Sequence, residues 1–230
     1  MNKKYKYLLF DADNTLFDFN AAERRAFLAL SALEPFVFTE EHYPLYHEIN
    51  DLMWKRLERC EITKEELKSL RFRELFKELD REASKELISN IVEAYPRNLA
   101  LGCDLIEGAA DLLKNLSQSY KIYIITNGLY GVQTARLESS EIKPYITNMY
   151  VSEKVGYEKP SKSYFGYVLS DIGDMNTQNY LVIGDSLSSD IDGAINADID
   201  CVYFDPSNVG TEGRRVTYRV SSLREIEDLI

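Results

Sequence analysis

The sequence predicts an α/β protein, a doubly wound parallel sheet with an all-helical block inserted after the first strand. Three observations predict it. Short apolar runs at residues 7–10, 121–126, 179–183 and 201–204 have strand length, and each stops at polar or glycine residues. From residue 108 onward such runs alternate with helical patterns, the rhythm of βα units. Between residues 18 and 100 the strand signal is absent and four helical patterns follow in series. A parallel crossover needs one helix, so four read as a lid or cap. The division expected is an α/β core of residues 1–17 and 101–230, with a helical cap domain at 18–100.

Each element has its own justification. The first strand, residues 7–10, runs into Asp11, Asp13, Asn14 and Thr15. Residues 20–33 read as a helix, because Ala22, Ala26, Phe27, Leu30 and Leu33 recur at three- and four-residue spacing and Asn20 can cap. A second helix at 42–57 carries Ile49, Met53, Trp54 and Leu57 on one face; its Tyr43, Tyr46 and Trp54 read as packing aromatics rather than base-stacking ones. Thr63 with Glu66 is a capping box for a third helix, and Ser84 caps a fourth. Helices are then expected at 109–116, 132–139, 161–172 and 187–197, and strands at 121–126, 148–152, 179–183, 201–204 and 216–220. Ser222 with Glu225 is a capping box for the last helix.

Composition narrows the function. A chain of 230 residues can bury a sizeable core without staples. A net charge of −11 without a basic stripe argues against a nucleic-acid polymer as partner. That charge also repels a phosphorylated substrate at long range, so a phosphate site needs local cations. Cys60, Cys103 and Cys201 form no Cys-x-x-Cys, which fits free thiols in a reducing cytoplasm. His42 and His47 are the only histidines and read as surface or helix residues, so a Ser-His-Asp triad is poorly supplied. The lead from Met1 into the first strand lacks a signal-peptide pattern, and no apolar run approaches the roughly 20 residues of a membrane span. A cytoplasmic protein without a membrane partner is expected.

The chemistry starts at Asp11 and Asp13. Carboxylates at i and i+2 of an extended chain point to the same side and repel. A divalent cation between them or a shared proton relieves that, so the pair reads as a metal site or as a coupled acid–base pair. In an open parallel sheet, ligand sites form outside the carboxyl ends of the strands. There the pair would meet Thr126 and Asn127, a loop carrying Lys159, and Asp185 with Asp190. Several carboxylates in one crevice call for a divalent cation, while one lysine and one hydroxyl can hold phosphoryl oxygens. Lys154, Asp192 and Asp198 read as surface residues.

Four motifs stand in order along the whole chain: Asp11-x-Asp13-x-Thr15, Thr126-Asn127-Gly128, Lys159-Pro160, and Gly184-Asp185-Ser186-x-x-x-Asp190-x-x-Gly193-Ala194. As a set they resemble the motifs of the haloacid-dehalogenase-like (HAD) hydrolase superfamily. The resemblance implies a Rossmann-like core with an inserted helical cap. It implies Asp11 as a nucleophile that carries a transient aspartyl-phosphate, and Asp13 as general acid and then general base. Thr126, Asn127 and Lys159 would bind the phosphoryl group. Mg²⁺, or Mn²⁺ in its place, would be held by Asp11, the Asp13 backbone carbonyl and Asp185, with Asp190 and Thr15 in support. Asn14 stands where the family usually has glycine. Asp13 argues for phosphoryl rather than carbon–halogen chemistry. The opening motif, with Thr126-Asn127-Gly128 and the approach to Lys159, is most similar to bacterial pyrimidine 5′-nucleotidase-like phosphatases, which implies a nucleoside monophosphate as substrate. A sugar-phosphate phosphatase and a phosphomutase share these motifs. A phospho-receiver that uses Asp11 as a switch is the reading from a different class, and Asp13 and the helical insertion argue against it.

Overall fold

The structure, a computed structural model, describes residues 4–33 and 38–230; the expected lead at residues 1–3 lies outside them. In chain order, β1 (Tyr7–Asp11) is followed by helices α1 (Phe19–Ala29), α2 (Tyr43–Glu58), α3 (Lys64–Glu78), α4 (Lys85–Leu99) and α5 (Ala109–Leu116). Then come β2 (Lys121–Thr126), α6 (Tyr130–Glu138), β3 (Asn148–Val151), α7 (Ser152–Val155), α8 (Lys162–Ile172), β4 (Tyr180–Gly184), α9 (Asp192–Asn196), β5 (Asp200–Phe204) and β6 (Tyr218–Val220). These elements form two compact units, Met1–Phe19 with Cys103–Ile230, and Asn20–Gly102.

The first unit is built on a parallel sheet of order β3-β2-β1-β4-β5-β6. Successive residues of each strand face opposite sides. Leu8, Phe10, Ile122, Ile124, Leu181 and Ile183 enter one apolar layer with Leu112 and Leu113 of α5. Leu9, Tyr123, Ile125, Tyr180 and Val182 enter the other with Phe165 and Val168 of α8. Burial on both faces is why these strands read as unbroken apolar runs. The chain first winds outward from β1 through β2 to β3, then returns to β4 on the other side. That places a switch point between β1 and β4, at the carboxyl end of β1.

Several elements differ from expectation in detail. The expected helix 187–197 opens as a π turn over Leu187–Ile191, with Ile191 N–H donating to the Ser186 carbonyl at 3.1 Å, before α9 begins. The last helix is 3-10 over Leu223–Asp228, though its capping box forms. Helix α1 starts at Phe19, so Asn20 lies within its first turn rather than at its cap. Residues 216 and 217 precede β6, and Ser152 opens α7 instead of ending β3.

The second unit is helical. Thr63 caps α3 with the reciprocal Glu66 bond, and Ser84 accepts from Leu87 N–H at the start of α4. Tyr46 is fully buried, stacked 4.6 Å from Phe27 and 5.4 Å from Phe72, which makes it a packing residue. Trp54 is half-buried beside buried Met53. A carboxylate lies inside this apolar setting. Glu23 accepts from Asn50 Nδ2 at 2.7 Å, the Tyr43 hydroxyl at 3.0 Å and His47 Nδ1 at 2.6 Å. Asn50 Oδ1 accepts from Arg71 Nη1 at 3.0 Å, and the Arg71 guanidinium lies 4.3 Å over the Tyr95 ring. The Glu23 bond holds the His47 imidazole above its usual range, against a smaller opposing effect of burial. No helix among the described residues is long and apolar enough to cross a membrane.

Candidate active site

Asp11 is the last residue of β1, paired with Ile125 of β2 on one flank and next to the β4 ladder on the other. Its carboxylate accepts from Lys159 Nζ at 2.5 Å. The same ammonium, 1% exposed, donates to Asp190 Oδ1 at 2.6 Å and to the Ile125 carbonyl at 3.0 Å. Asp190 is held in turn by Ser186 N–H, 3.1 Å from its Oδ2. Gly184 is what lets it approach: a Cβ there would fall 2.3 Å from Asp190 Oδ2. Asp185 completes the group, its Oδ1 accepting from Thr15 Oγ1 at 3.1 Å. One oxygen each from Asp11, Asp185 and Asp190 lies within 4.8 Å of the others.

The charges in this cluster do not balance. Burial, then the Asp190 charge, pushes the Asp11 carboxyl well above the usual carboxylate range; Lys159 opposes this, and Asp185 and Asp13 add to it. Burial, then Asp190, pushes Asp185 up to about 7. Burial alone would lower Lys159, but Asp11 and Asp190 outweigh it and hold the ammonium charged. Three carboxylates facing one ammonium form a donor set of hard oxygens short of positive charge, which fits a divalent cation such as Mg²⁺.

The remaining sequence-predicted residues are placed as follows. Thr126 ends β2, buried, and its Oγ1 accepts from Gly128 N–H at 3.0 Å. The Asn127 side chain pairs with the Lys159 backbone. Its Nδ2 donates to the Lys159 carbonyl at 2.8 Å and its Oδ1 accepts from Lys159 N–H at 2.9 Å, because an amide matches both backbone groups. It therefore anchors the lysine loop. The Asp13 carboxylate is not one of the clustered three: Gln133 Nε2 donates to its Oδ2 at 2.5 Å and Arg136 Nη1 to its Oδ1. Asn14 adopts φ +58°, the left-handed region that asparagine tolerates best after glycine, and donates its N–H to the Phe17 carbonyl. Lys154 lies over the Tyr130 ring, and Asp192 pairs with Arg214.

The family profile described as haloacid dehalogenase-like hydrolase matches residues 8–204. The chain belongs to this family. Among HAD-like relatives, HAD-hydrolase YfnB of Bacillus subtilis (strain 168) is 36% identical, covering 99% of this chain and 96% of its own. The pyrimidine 5′-nucleotidase PynA of Streptococcus pneumoniae is 34% identical over 98% of this chain and 95% of its own, and the pyrimidine 5′-nucleotidase YjjG of Escherichia coli is 34% identical over 99% and 98%. The crystal structure of YfnB bound to magnesium superposes with a TM-score of 0.91, covering 99% of each chain. A dehalogenase at 19% identity, TM-score 0.75, shares the fold.

Gln133 and Arg136 had no part in the sequence reading of this HAD-like site. The available signal was slight: two polar residues at i and i+3, flanked by apolar Val132 and Leu137, on the helix that follows Thr126-Asn127-Gly128.

Proposed function

We propose that this HAD-like hydrolase is a Mg²⁺-dependent phosphatase of small phosphate monoesters, acting on nucleoside 5′-monophosphates and among them on pyrimidine nucleotides. One observation carries the chemistry: a buried carboxylate at the carboxyl end of the central strand, with Lys159 Nζ 2.5 Å away and two further carboxylates beside it. The substrate class is supported by the two pyrimidine 5′-nucleotidases that match nearly the full chain.

Asp11 attacks phosphorus, the bond to the leaving alcohol breaks, and an aspartyl-phosphate forms. Asp13 gives a proton to the leaving oxygen, then takes one from the water that releases inorganic phosphate. Lys159 and Thr126 hold phosphoryl oxygens, Lys159 exchanging part of its contact with Asp11 for the incoming charge. Asp11, the Asp13 carbonyl and Asp185 would hold Mg²⁺, while Asp190 orients Lys159. The bound cation supplies positive charge for the phosphoryl oxygens and for the crowded carboxylates.

The test is phosphate release from nucleoside monophosphates and sugar phosphates, with Mg²⁺ and with chelator, beside Asp11→Asn. Metal-dependent release concentrated on pyrimidine nucleotides and absent from the variant is expected. Release confined to sugar phosphates would keep the chemistry and overturn the substrate. A phosphoryl-aspartate that persists without turnover would overturn hydrolysis itself.

A further inference from the structure

The Asp13 carboxylate meets a pair of buried side chains from α6. Gln133 and Arg136 stand three residues apart on one helix face, 2% and 0% exposed, and Arg136 Nη1 lies 3.4 Å from Gln133 Oε1. Between them each Asp13 oxygen has its own donor, Gln133 on Oδ2 and Arg136 on Oδ1. The Arg136 guanidinium also lies 4.6 Å over the Phe17 ring. Phe17 is fixed by the loop that carries Asp13: its N–H donates to the Ala12 carbonyl and its carbonyl accepts from Asn14 N–H, each at 2.8 Å. The loop therefore offers Arg136 both a carboxylate and a ring face.

Gln133 reaches one step further. Its Nε2 lies 3.3 Å from Thr126 Oγ1, so one amide spans Asp13 and the threonine. Gly128 leaves room for this bridge, since a Cβ there would fall 2.2 Å from Gln133 Nε2. Stability gives little reason for such an arrangement. A buried ion pair is often matched or bettered by apolar residues of similar volume, and α6 already packs through Val132 and Leu137. Geometry gives a better reason, because misplacing a reacting group by about 1 Å can cost about 100-fold in rate.

We propose that Gln133 and Arg136 are positioning residues for Asp13. They fix both torsions of its side chain so that one carboxyl group meets the leaving oxygen in the first step and water in the second. Gln133 also sets the spacing between Asp13 and Thr126. The inference rests on the phosphatase reading above and adds two residues to it.

The experiment is a double-mutant cycle on the full chain with Mg²⁺, using the best nucleotide and p-nitrophenyl phosphate, with circular dichroism to confirm folding. Arg136→Met and Gln133→Leu should each lower kcat on the nucleotide by about 10- to 100-fold, with KM within about threefold, and Arg136→Lys should recover part of the loss. Gly128→Ala should resemble Gln133→Leu. With p-nitrophenyl phosphate, whose leaving group needs no proton, the first-turnover burst should persist in Arg136→Met while the following steady rate falls. In the Asp13→Ala background neither substitution should cost more than about twofold. If each lowers the residual rate of Asp13→Ala as much as it lowers the parent rate, the proposal is overturned. If Arg136→Met does not fold, Arg136→Lys and Gln133→Leu decide in the same cycle. An Asp13→Ala protein as active as the parent would instead overturn the acid–base assignment; a normal Asp13 dependence with indifferent Gln133 and Arg136 variants would overturn this inference alone.

Discussion

Two buried sets of charged groups, one in each unit, are built on opposite terms. In the helical unit Glu23 has three donors, and Asn50 links it to Arg71. In the α/β unit Asp11, Asp185 and Asp190 crowd together around one ammonium, and both Asp11 and Asp185 are pushed up in pKa. In the first set the Glu23 carboxylate is fully met by donors, although Arg71 Nε finds no acceptor; the second is left wanting positive charge. A buried network whose charges are met specifies a packing, whereas one with an excess of one sign marks a place where something else binds. The number of buried charges does not separate structure from function here. Their balance does.

The largest expected effect breaks the unbalanced set. Asp11→Asn should lower phosphate release by at least about 1,000-fold, since the nucleophile is gone. Thermal melts should show the folded protein kept, because the change also removes a like charge. A variant that turned over normally would remove the functional meaning of the imbalance. Next comes the balanced set. Glu23→Leu leaves Asn50 and His47 without their acceptor and should cost about 3 kcal/mol in urea unfolding. A loss under about 0.5 kcal/mol would mean that the network does not hold the helical unit.

A third measurement sharpens the contrast through pH. Groups whose folded pKa is raised stabilise fully below their unfolded value, near 4 for carboxylates, and lose that contribution as pH rises through the folded value. Asp185, at about 7, and Asp11 should therefore weaken the metal-free protein between pH 4 and beyond about pH 7. Mg²⁺ at about 100 times its pH 8 Kd should restore about 2.7 kcal/mol at pH 8, and the same concentration should give a smaller Tm gain at pH 5, where protons compete for the carboxylates. Equal gains at both values would contradict the crowding. The smallest effect belongs to His47, which faces Glu23 and, at 3.8 Å, Asp51. Its raised pKa gives stability present below about pH 6.5 and lost as pH climbs through the folded value. His47→Gln should flatten that slope by about 1 kcal/mol or less, the scale of a half-exposed pair.

Much of the fold was legible in the sequence. Strands buried on both faces leave unbroken apolar runs, and the polar residues at their carboxyl ends named the loops that carry Asp11, Thr126, Lys159 and Asp185. Reciprocal caps at Thr63 and Ser222 are local and were read directly. What stayed hidden was set by contacts between distant parts of the chain. Gln133 and Arg136 look like ordinary polar helix residues until α6 is packed beside the Asp13 loop. The pairing of the Asn127 amide with the Lys159 backbone depends on two distant loops meeting. The π turn before α9 is likewise invisible to periodicity, since it rests on displaced backbone bonds, Ile191 N–H to the Ser186 carbonyl and Asp192 N–H to the Leu187 carbonyl.

The position of β1 has a consequence for how the protein breathes. Its peptide groups are bonded to β2 on one edge and to β4 on the other, deep within a sheet of six. Amide protons there exchange with solvent only when the sheet itself comes apart, so they should be among the slowest in the molecule. The ribbon that ends in Asp11 is thus the last to loosen.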